Sequence, residues 1–311
     1  MKNIKYISLL VMLVFISRAN ALDLGFAKQD GGQPGAFLSY GAGARALGMG
    51  KTFVGVADDA STVYWNPAGL GQMKKREVTA LYASLYENTA YSFIGYAHPL
   101  NAQYGTLGLA VVNLDSKGYQ LKDEFNYGIG EGGVSETAGL VSYGKTLIKR
   151  NDEPYLSAGA SVKVVRQIVN SRSATGYGAD AGALCRATDK LSIGLSVQNI
   201  IAPRLKLIEA TDEYPLTITA GAGYRLANDK LLIALDVNKT AKRDYKLHIG
   251  GEYWLAKMFS MRAGIDETEF ACGIGFKLGN YSIDYAFALH DAWQGHDDLG
   301  TSHRIGFTIK L

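Results

Sequence analysis

Apolar and polar residues alternate with a period of two from Glu77 to the C-terminus, in short runs separated by turn residues. In residues 191–198, aliphatic side chains alternate with serine, glycine and glutamine, and residues 231–238 repeat the scheme with other polar residues. The last run, 304–311, ends on the apolar residue Leu311. This alternation predicts strands with one apolar and one polar face. We count about fourteen such strands, an even number, as expected of a bacterial outer-membrane barrel.

The predicted connections between these runs alternate in length. Short turns are expected near residues 98–103, 187–190, 226–230, 255–258 and 278–280. Longer polar loops are expected at residues 114–135, 169–175, 201–215 and 289–300. Short periplasmic turns opposite longer extracellular loops are typical of outer-membrane barrels. The predicted fold class is therefore an all-β, transmembrane, antiparallel β-barrel of about fourteen strands. A soluble sandwich is the alternative, because a period of two also fits that architecture.

Charged residues lie on the polar faces of the predicted strands. Charges are costly against lipid and tolerated in a barrel lumen, so these faces should point inward. Many other inward positions are glycine, serine or alanine, which leaves room inside the barrel. The predicted lumen charges are Lys163, Asp180, Arg186, Arg225, Asp236, Glu252, Arg262, Asp284 and Arg304, with His248 on the same kind of face.

Residues 1–21 have the features of a secretory signal peptide. Lys2 and Lys5 precede an apolar stretch too short to span a bilayer, and Ala19-Asn20-Ala21 is a small-x-small cleavage site. Cleavage after Ala21 removes three of the 32 basic residues, so the mature chain, with 29 acidic residues, has no net charge. We therefore expect no nucleic-acid partner and a location in the outer membrane of a Gram-negative-type bacterium.

The segment 41–70 contains glycines and an acid pair that suggest chemistry, but the spacing is unfavourable. Gly50-Lys51-Thr52 matches the end of a phosphate loop, yet Arg45 stands where that motif requires its first glycine. Asp58-Asp59 has no histidine or nucleophile at a defined spacing. We therefore predict no catalytic residue, cofactor or metal. A cation in the loop 290–298 and a surface hydrolase are weaker alternatives, and the chain has no G-x-S-x-G elbow.

The two cysteines fall on the apolar faces of the predicted sixth and twelfth strands. Cys185 shares its face with Ala183, and Cys272 shares its face with Ile274. Strands so far apart around a barrel cannot bring two Cα atoms within about 7 Å, the limit for a disulfide. Two free thiols facing lipid are therefore expected.

Three short runs within the segment 41–70 resemble a known signature. Gly48-Met49-Gly50, residues 56–61 (VADDAS) and residues 65–70 (WNPAGL) look like the N-terminal signature of PorV/PorQ-type outer-membrane proteins. The same order, more loosely, resembles the hatch of FadL-type fatty-acid transporters. Residues 197–200 (VQNI) are also similar to a recurrent PorV/PorQ segment.

This resemblance implies a fourteen-stranded barrel, residues 76–311, whose lumen holds an N-terminal plug, residues 22–75. The residue pattern agrees, because a barrel of about fourteen strands lined by small side chains needs something to fill it. Asn66 should cap a turn opened by Pro67, and Arg45, Asp58 and Asp59 should pair with the inward charges. The candidate plug residues are Arg45, Gly48, Gly50, Asp58, Asp59, Asn66, Pro67, Ala68 and Gly69.

The resemblance also implies two alternative functions. A PorV/PorQ-type protein would bind or pass exported material, as a non-enzymatic accessory of type IX secretion. A FadL-type protein would carry small hydrophobic solutes passively across the outer membrane. The partners implied are outer-membrane lipid together with exported proteins, secretion components or hydrophobic small molecules.

Overall fold

The computed structural model describes residues 33–85, 88–101, 103–266, 269–290 and 300–311. The predicted signal peptide, with its cleavage site after Ala21, lies outside these residues. So does the segment 291–298, which carries most of the weakly suggested cation loop.

Fourteen antiparallel strands form a closed barrel, as predicted. Each strand pairs with its neighbours along the chain, apart from one small hairpin that lies outside the ring, and the first strand closes the ring against the last from Glu77↔Lys310 to Ser84↔His303. The barrel strands are β1 (Glu77–Ser84), β2 (Thr89–Asn101), β3 (Gly105–Lys122), β4 (Gly128–Arg150), β5 (Glu153–Val169), β6 (Arg172–Arg186), β7 (Leu191–Ile201), β10 (Thr217–Leu226), β11 (Leu231–Thr240), β12 (Tyr245–Ala256), β13 (Phe259–Ile265), β14 (Glu269–Leu278), β15 (Tyr281–His290) and β16 (Thr301–Lys310). Strands β8 (Arg204–Lys206) and β9 (Thr211–Glu213) form a separate hairpin between β7 and β10.

The two faces of the wall differ as the alternation requires. Outward side chains such as Ile94 and Ile305 are more than half exposed, as expected of a surface that lipid covers. Inward side chains on the same strands, such as Phe93 and Arg304, are buried. Cys185 and Cys272 lie in the sixth and twelfth barrel strands, share the exposed parity of those strands, and are not linked.

The barrel has a turn end and a loop end. The turn end carries the short connections β2–β3, β4–β5, β6–β7, β10–β11, β12–β13 and β14–β15, with the start of β1 and the end of β16. The loop end carries the other connections, among them the β8–β9 hairpin. The prediction of a longer loop at residues 169–175 was wrong, because β5 ends at Val169 and β6 begins at Arg172.

The prediction of a loop at residues 114–135 was wrong. Strand β3 continues to Lys122 and β4 begins at Gly128, and the two remain paired out to Lys122↔Gly128. Glycines at four of the six positions 128–133 broke the apolar alternation from which strands were identified. Beyond the last pairings with β2 at Ser116 and with β5 at Val134, residues 117–133 form a two-stranded projection, here called the arm.

The chain preceding the barrel forms four short helical turns. These are 3-10 turns at Ala36–Ser39 and Pro67–Gln72 and α-helical turns at Ala44–Gly48 and Thr62–Trp65. Within the described ranges, no helix is long and apolar enough to cross a membrane. Residues 33–73, here called the inner segment, contact the inward faces of the strands and supply much of the buried core.

Candidate functional site

The inner segment passes around the inside of the barrel and contacts all fourteen strands. Its start lies near the loop end, where Gly35 packs on Tyr214 in the connection between β9 and β10. It leaves at the turn end, where the Gly71 carbonyl accepts a hydrogen bond from Thr146 of β4 at 2.8 Å. The inner segment also contacts both strands of the seam, the junction at which β1 pairs with β16. The Ala60 N–H donates to Glu77 of β1, and Ala44 packs on Gly306 of β16.

Glycines on the wall make this close contact possible. A Cβ atom at any of them would press against the backbone or side chains of the inner segment, so a larger residue would push the segment away from the wall. In register, Gly144, Gly159 and Gly182 are neighbours on β4, β5 and β6, and Gly250 neighbours Gly264. This glycine belt occupies eleven of the fourteen strands: Gly95, Gly108, Gly144, Gly159, Gly182, Gly194, Gly221, Gly250, Gly264, Gly273 and Gly306.

The predicted Asn-Pro turn forms and attaches the inner segment to β6. The Asn66 side-chain oxygen accepts a hydrogen bond from Ala68 N–H at 3.1 Å, and Pro67 opens the 3-10 turn. The Asn66 side-chain nitrogen donates to the carbonyls of Val54 and Ala183 at 3.0 and 3.1 Å. Asn66 is fully buried, so all these groups depend on one another for hydrogen bonds.

The small residues of the motif occupy places that larger ones could not. Gly69 packs against Ala57 and Thr62, and Ala68 is buried beside Leu184 of the wall. Gly48 lies against the backbone of Gly273. Gly50 has a φ of 63°, a conformation that favours glycine, and a Cβ there would collide with the backbone of β13.

Arg45 is the centre of a buried ion-pair cluster, here called the Arg45 cluster. Its Nε and Nη2 donate to the two carboxylate oxygens of Glu252, each at 2.8 Å. Its Nη1 donates to Asp58 at 2.6 Å and to Asp59 at 3.3 Å. A bidentate contact of this kind combines charge with a fixed geometry. Arg45 therefore links two acids of the inner segment to one acid of the wall.

Further charges of the wall extend the Arg45 cluster in both directions. Arg225 donates to the second oxygen of Asp58 at 2.8 Å. On the other side, Arg262 bridges Glu252 at 2.7 Å and Asp284 at 2.6 Å. Burial opposes ionisation of Asp58, but Arg45 and Arg225 outweigh it and hold the pKa of Asp58 below its usual value.

Asp236 attaches the middle of the inner segment to β11. One oxygen of its carboxylate accepts the backbone N–H groups of Phe53 and Val54 at 2.8 and 2.9 Å. Backbone N–H groups that converge on one carboxylate make a short anion-binding nest. Here the wall supplies the anion and the inner segment supplies the nest.

The remaining predicted lumen charges lie apart from the Arg45 cluster. Lys163 pairs with Asp180 at 2.7 Å across β5 and β6. Arg186 donates its Nε to Gln72 of the inner segment at 3.0 Å. Arg304 binds Glu269 through two nitrogens, at 3.0 and 2.8 Å, nearer the loop end.

The sequence pattern does not predict a second ion-pair group. Lys51 approaches Asp266 at 3.0 Å and Glu269 at 3.4 Å, and so joins the inner segment to Arg304 through Glu269. In the sequence, Lys51 suggests only the end of a phosphate loop. Glu269 could have been found, because it shares the inward parity of Ala271 and Gly273.

A cavity of about 230 Å³ opens at the turn end beside the Arg45 cluster. Its lining is mixed in charge, with Asp229 and Lys277 near the rim and Trp254 and Leu232 on the wall. Across the described part of the chain, no group of three potential metal ligands is arranged to hold an ion. The arrangement offers anchoring and recognition chemistry.

Comparison with known proteins gives a family and a fold. The family model for the type IX secretion system membrane protein PorP/SprF matches residues 60–309. No curated protein matches the sequence. The match covers the barrel but only the last part of the segment 41–70, and it names PorP/SprF where the sequence resemblance named PorV/PorQ.

Several solved outer-membrane barrels are similar in structure. The Ralstonia pickettii toluene transporter TbuX has a TM-score of 0.65 at 13% identity, covering 87% of this chain and 98% of that one. The Pseudomonas putida toluene transporter TodX has a TM-score of 0.60 at 13% identity, with coverages of 87% and 97%. A Pseudomonas aeruginosa FadL homologue has a TM-score of 0.60 at 13% identity, with coverages of 86% and 97%. At these identities the likeness shows the fold.

Proposed function

The chain belongs to the PorP/SprF family of type IX secretion system membrane proteins, and from that premise we propose that it is a non-enzymatic outer-membrane accessory that binds or passes exported material. The resemblance of residues 41–70 to the PorV/PorQ signature supports the same kind of role. Short turns at one end indicate that the turn end faces the periplasm and the loop end faces outward.

The observation that carries the proposal is the contact of the inner segment with every barrel strand. A barrel of this size with an empty lumen would be a diffusion pore. Here hydrogen bonds, ion pairs and backbone contacts hold the inner segment against the wall all the way round. Such a barrel suits a protein that works through surfaces at its two ends.

The arm is the surface we assign to exported material. Its tip displays Phe125 and Tyr127, each 72% exposed. The tip is ordered, because the Asp123 carboxylate accepts both their backbone N–H groups at 3.0 and 2.9 Å. Exposed aromatic side chains on a rigid support are favourable anchors for a partner.

In-cell photocrosslinking tests this proposal. A photoreactive amino acid replaces Phe125 or Tyr127, and in a matched control it replaces Leu109, an outward-facing side chain on the wall. We expect exported or envelope proteins to be crosslinked at the arm tip and not at Leu109. If neither tip position recovers such a protein while the control barrel is equally abundant, the accessory function is contradicted.

A second candidate is FadL-like passive transport of small hydrophobic solutes. The shared fold with TbuX and TodX, whose names describe toluene transporters, favours it. Transport would require the inner segment to move, because it lies across the route.

Planar-bilayer recording tests the transport function. Deleting residues 41–70 should open a measurable conductance, whereas deleting residues 123–127 at the arm tip should leave the bilayer silent. Heat-dependent migration on gels shows whether each variant has formed a barrel. A silent recording from a correctly formed 41–70 deletion would remove the transport function.

A further inference from the structure

A small cavity lies at the turn end where the inner segment meets β6, β7 and β10. Its volume is about 20 Å³, enough for one water-sized group. The cavity borders the larger one, since Arg225 lines both. Its lining includes Gln72 of the inner segment, Arg186 of β6, Lys190 of the β6–β7 turn, Ser192 of β7 and Arg225 of β10.

The lining is rich in cations that the protein neutralises only in part. Arg186 donates its Nε–H to Gln72 and lies in the field of the exposed Glu153, and no hydrogen bond from its two terminal nitrogens is found among the described residues. Arg225 gives one terminal nitrogen to Asp58, which Arg45 already binds. Lys190 has no ion pair with any described residue, and Asp189 is the one acid of the lining.

The strand register directs both arginines toward the same point. Arg186 lies beside Ser192 across β6 and β7. Tyr224 lies beside Leu191 across β7 and β10, and Arg225 is the next residue on β10. The backbone N–H of Arg225 donates to the carbonyl of Lys190. The two arginines therefore flank one strand, about 10 Å apart, the width of two strand spacings. Two inward arginine side chains can converge over that distance.

We propose that this cavity takes one oxygen of an anionic group, a carboxylate or a phosphate, between Arg186 and Arg225. Guanidinium groups match the oxygens of both anions, and free N–H donors on two arginines supply the hydrogen bonds. The Ser192 hydroxyl lies between them, and its own bond to the Gly223 carbonyl is long, at 3.4 Å. The larger cavity accommodates the rest of a ligand. This site is independent of the function proposed above.

Occupancy of the anion site affects the attachment of the inner segment. Arg186 and Arg225 are also the residues that hold Gln72 and Asp58, near the end and in the middle of the inner segment. An anion bound to the free nitrogens of the two arginines shares their positive charge with both contacts and so weakens them. The site therefore couples a ligand arriving from the turn end to the position of the inner segment.

Site-resolved modification of arginine tests the proposal on the full-length barrel in detergent. Phenylglyoxal modifies accessible guanidinium groups, and mass spectrometry measures the rate at each arginine. The probes are inorganic phosphate and glutarate, each compared with sodium chloride at equal ionic strength. At ten times the dissociation constant, we expect Arg186 and Arg225 to react roughly tenfold more slowly. Arg166, exposed on the outward parity of β5, should be unaffected.

The outcomes separate the ligand classes. Protection by phosphate alone supports a phosphate-bearing ligand, and protection by glutarate alone supports a carboxylate-bearing one. Arg186→Gln should abolish protection of Arg225 without changing the rate at Arg166. Equal rates in all salts, or protection by chloride as strong as by the probes, would overturn the proposal. The wild-type measurement decides this even if the variant does not fold.

Discussion

A few single side chains hold the inner segment in place, and each of them makes several hydrogen bonds or ion pairs. Asn66 serves three backbone groups, and Arg45 serves three carboxylates. Removing a group of this kind takes one partner from several buried or partly buried groups at once, which costs more than one bond contributes. Two substitutions test this at the residue scale.

Arg45→Met should destabilise the protein by about 2 kcal/mol, because the buried Glu252 loses its bidentate partner and keeps Arg262. The measurement is the free energy of unfolding in detergent, from urea titration. The matched control is Lys74→Met, which removes an exposed pair with Glu153. That change should leave the free energy of unfolding close to the wild-type value. Equal effects of the two changes would contradict the central place of Arg45.

Asn66→Ala should cost about 2 kcal/mol, since it removes a turn cap and two bonds from a buried side chain to backbone carbonyls. Gln120→Ala, at an exposed position of the arm, is the control and should be close to neutral. Unfolding curves measured side by side give both values. A neutral Asn66→Ala would show that the Asn-Pro turn does not anchor the segment.

At the scale of elements, the sequence predicted the barrel strands better than the packing of the inner segment inside them. Alternation located the strands because a period of two survives in every strand with a lipid face. It failed at the arm, where glycines replace the apolar residues, and at β8 and β9, which are three residues each. From the sequence, the glycines of the belt predict only free space in the lumen. The sequence does not show which glycines lie at one level around the barrel.

The glycine belt makes a prediction at this scale. Gly264→Ala would place a Cβ against the backbone of Met49 and Gly50, so the strand or the inner segment must shift. We expect a loss of about 3 kcal/mol or more, at the upper end of overpacking effects. The control is Gly139→Ala on β4, where a Cβ meets nothing within 4 Å. Thermal unfolding should distinguish them, and equal midpoints would contradict close packing of the segment against the wall.

At the scale of the molecule, the closed ring depends on one seam, β1 against β16. The even number of strands predicted a closed barrel. The residue-by-residue pairing of β1 with β16 that closes it is known only from the structure. The candidate plug residues were predicted from composition and motif. The pairings between Arg45 and Glu252, or Lys51 and Asp266, join positions about two hundred residues apart and required three-dimensional coordinates.

A designed disulfide tests the seam. Thr79 and Thr308 lie opposite one another with their hydroxyl oxygens 2.9 Å apart. Paired strand positions have Cβ atoms about 4.5–5.5 Å apart, so cysteines there should form a disulfide with modest adjustment. With Cys185 and Cys272 replaced by serine, Thr79→Cys with Thr308→Cys should migrate faster on non-reducing gels. Thr79→Cys with Ser302→Cys, out of register, should not, and a reversed result would contradict this closure.

The contact of the inner segment with both sides of the seam has a consequence for assembly. Chain segments do not normally pass through closed loops, and the N-terminal portion lies within a ring whose last strand is made at the C-terminus. We therefore expect the strands to gather around the N-terminal portion before β16 joins β1. A substitution in the glycine belt should then lower the yield of inserted protein.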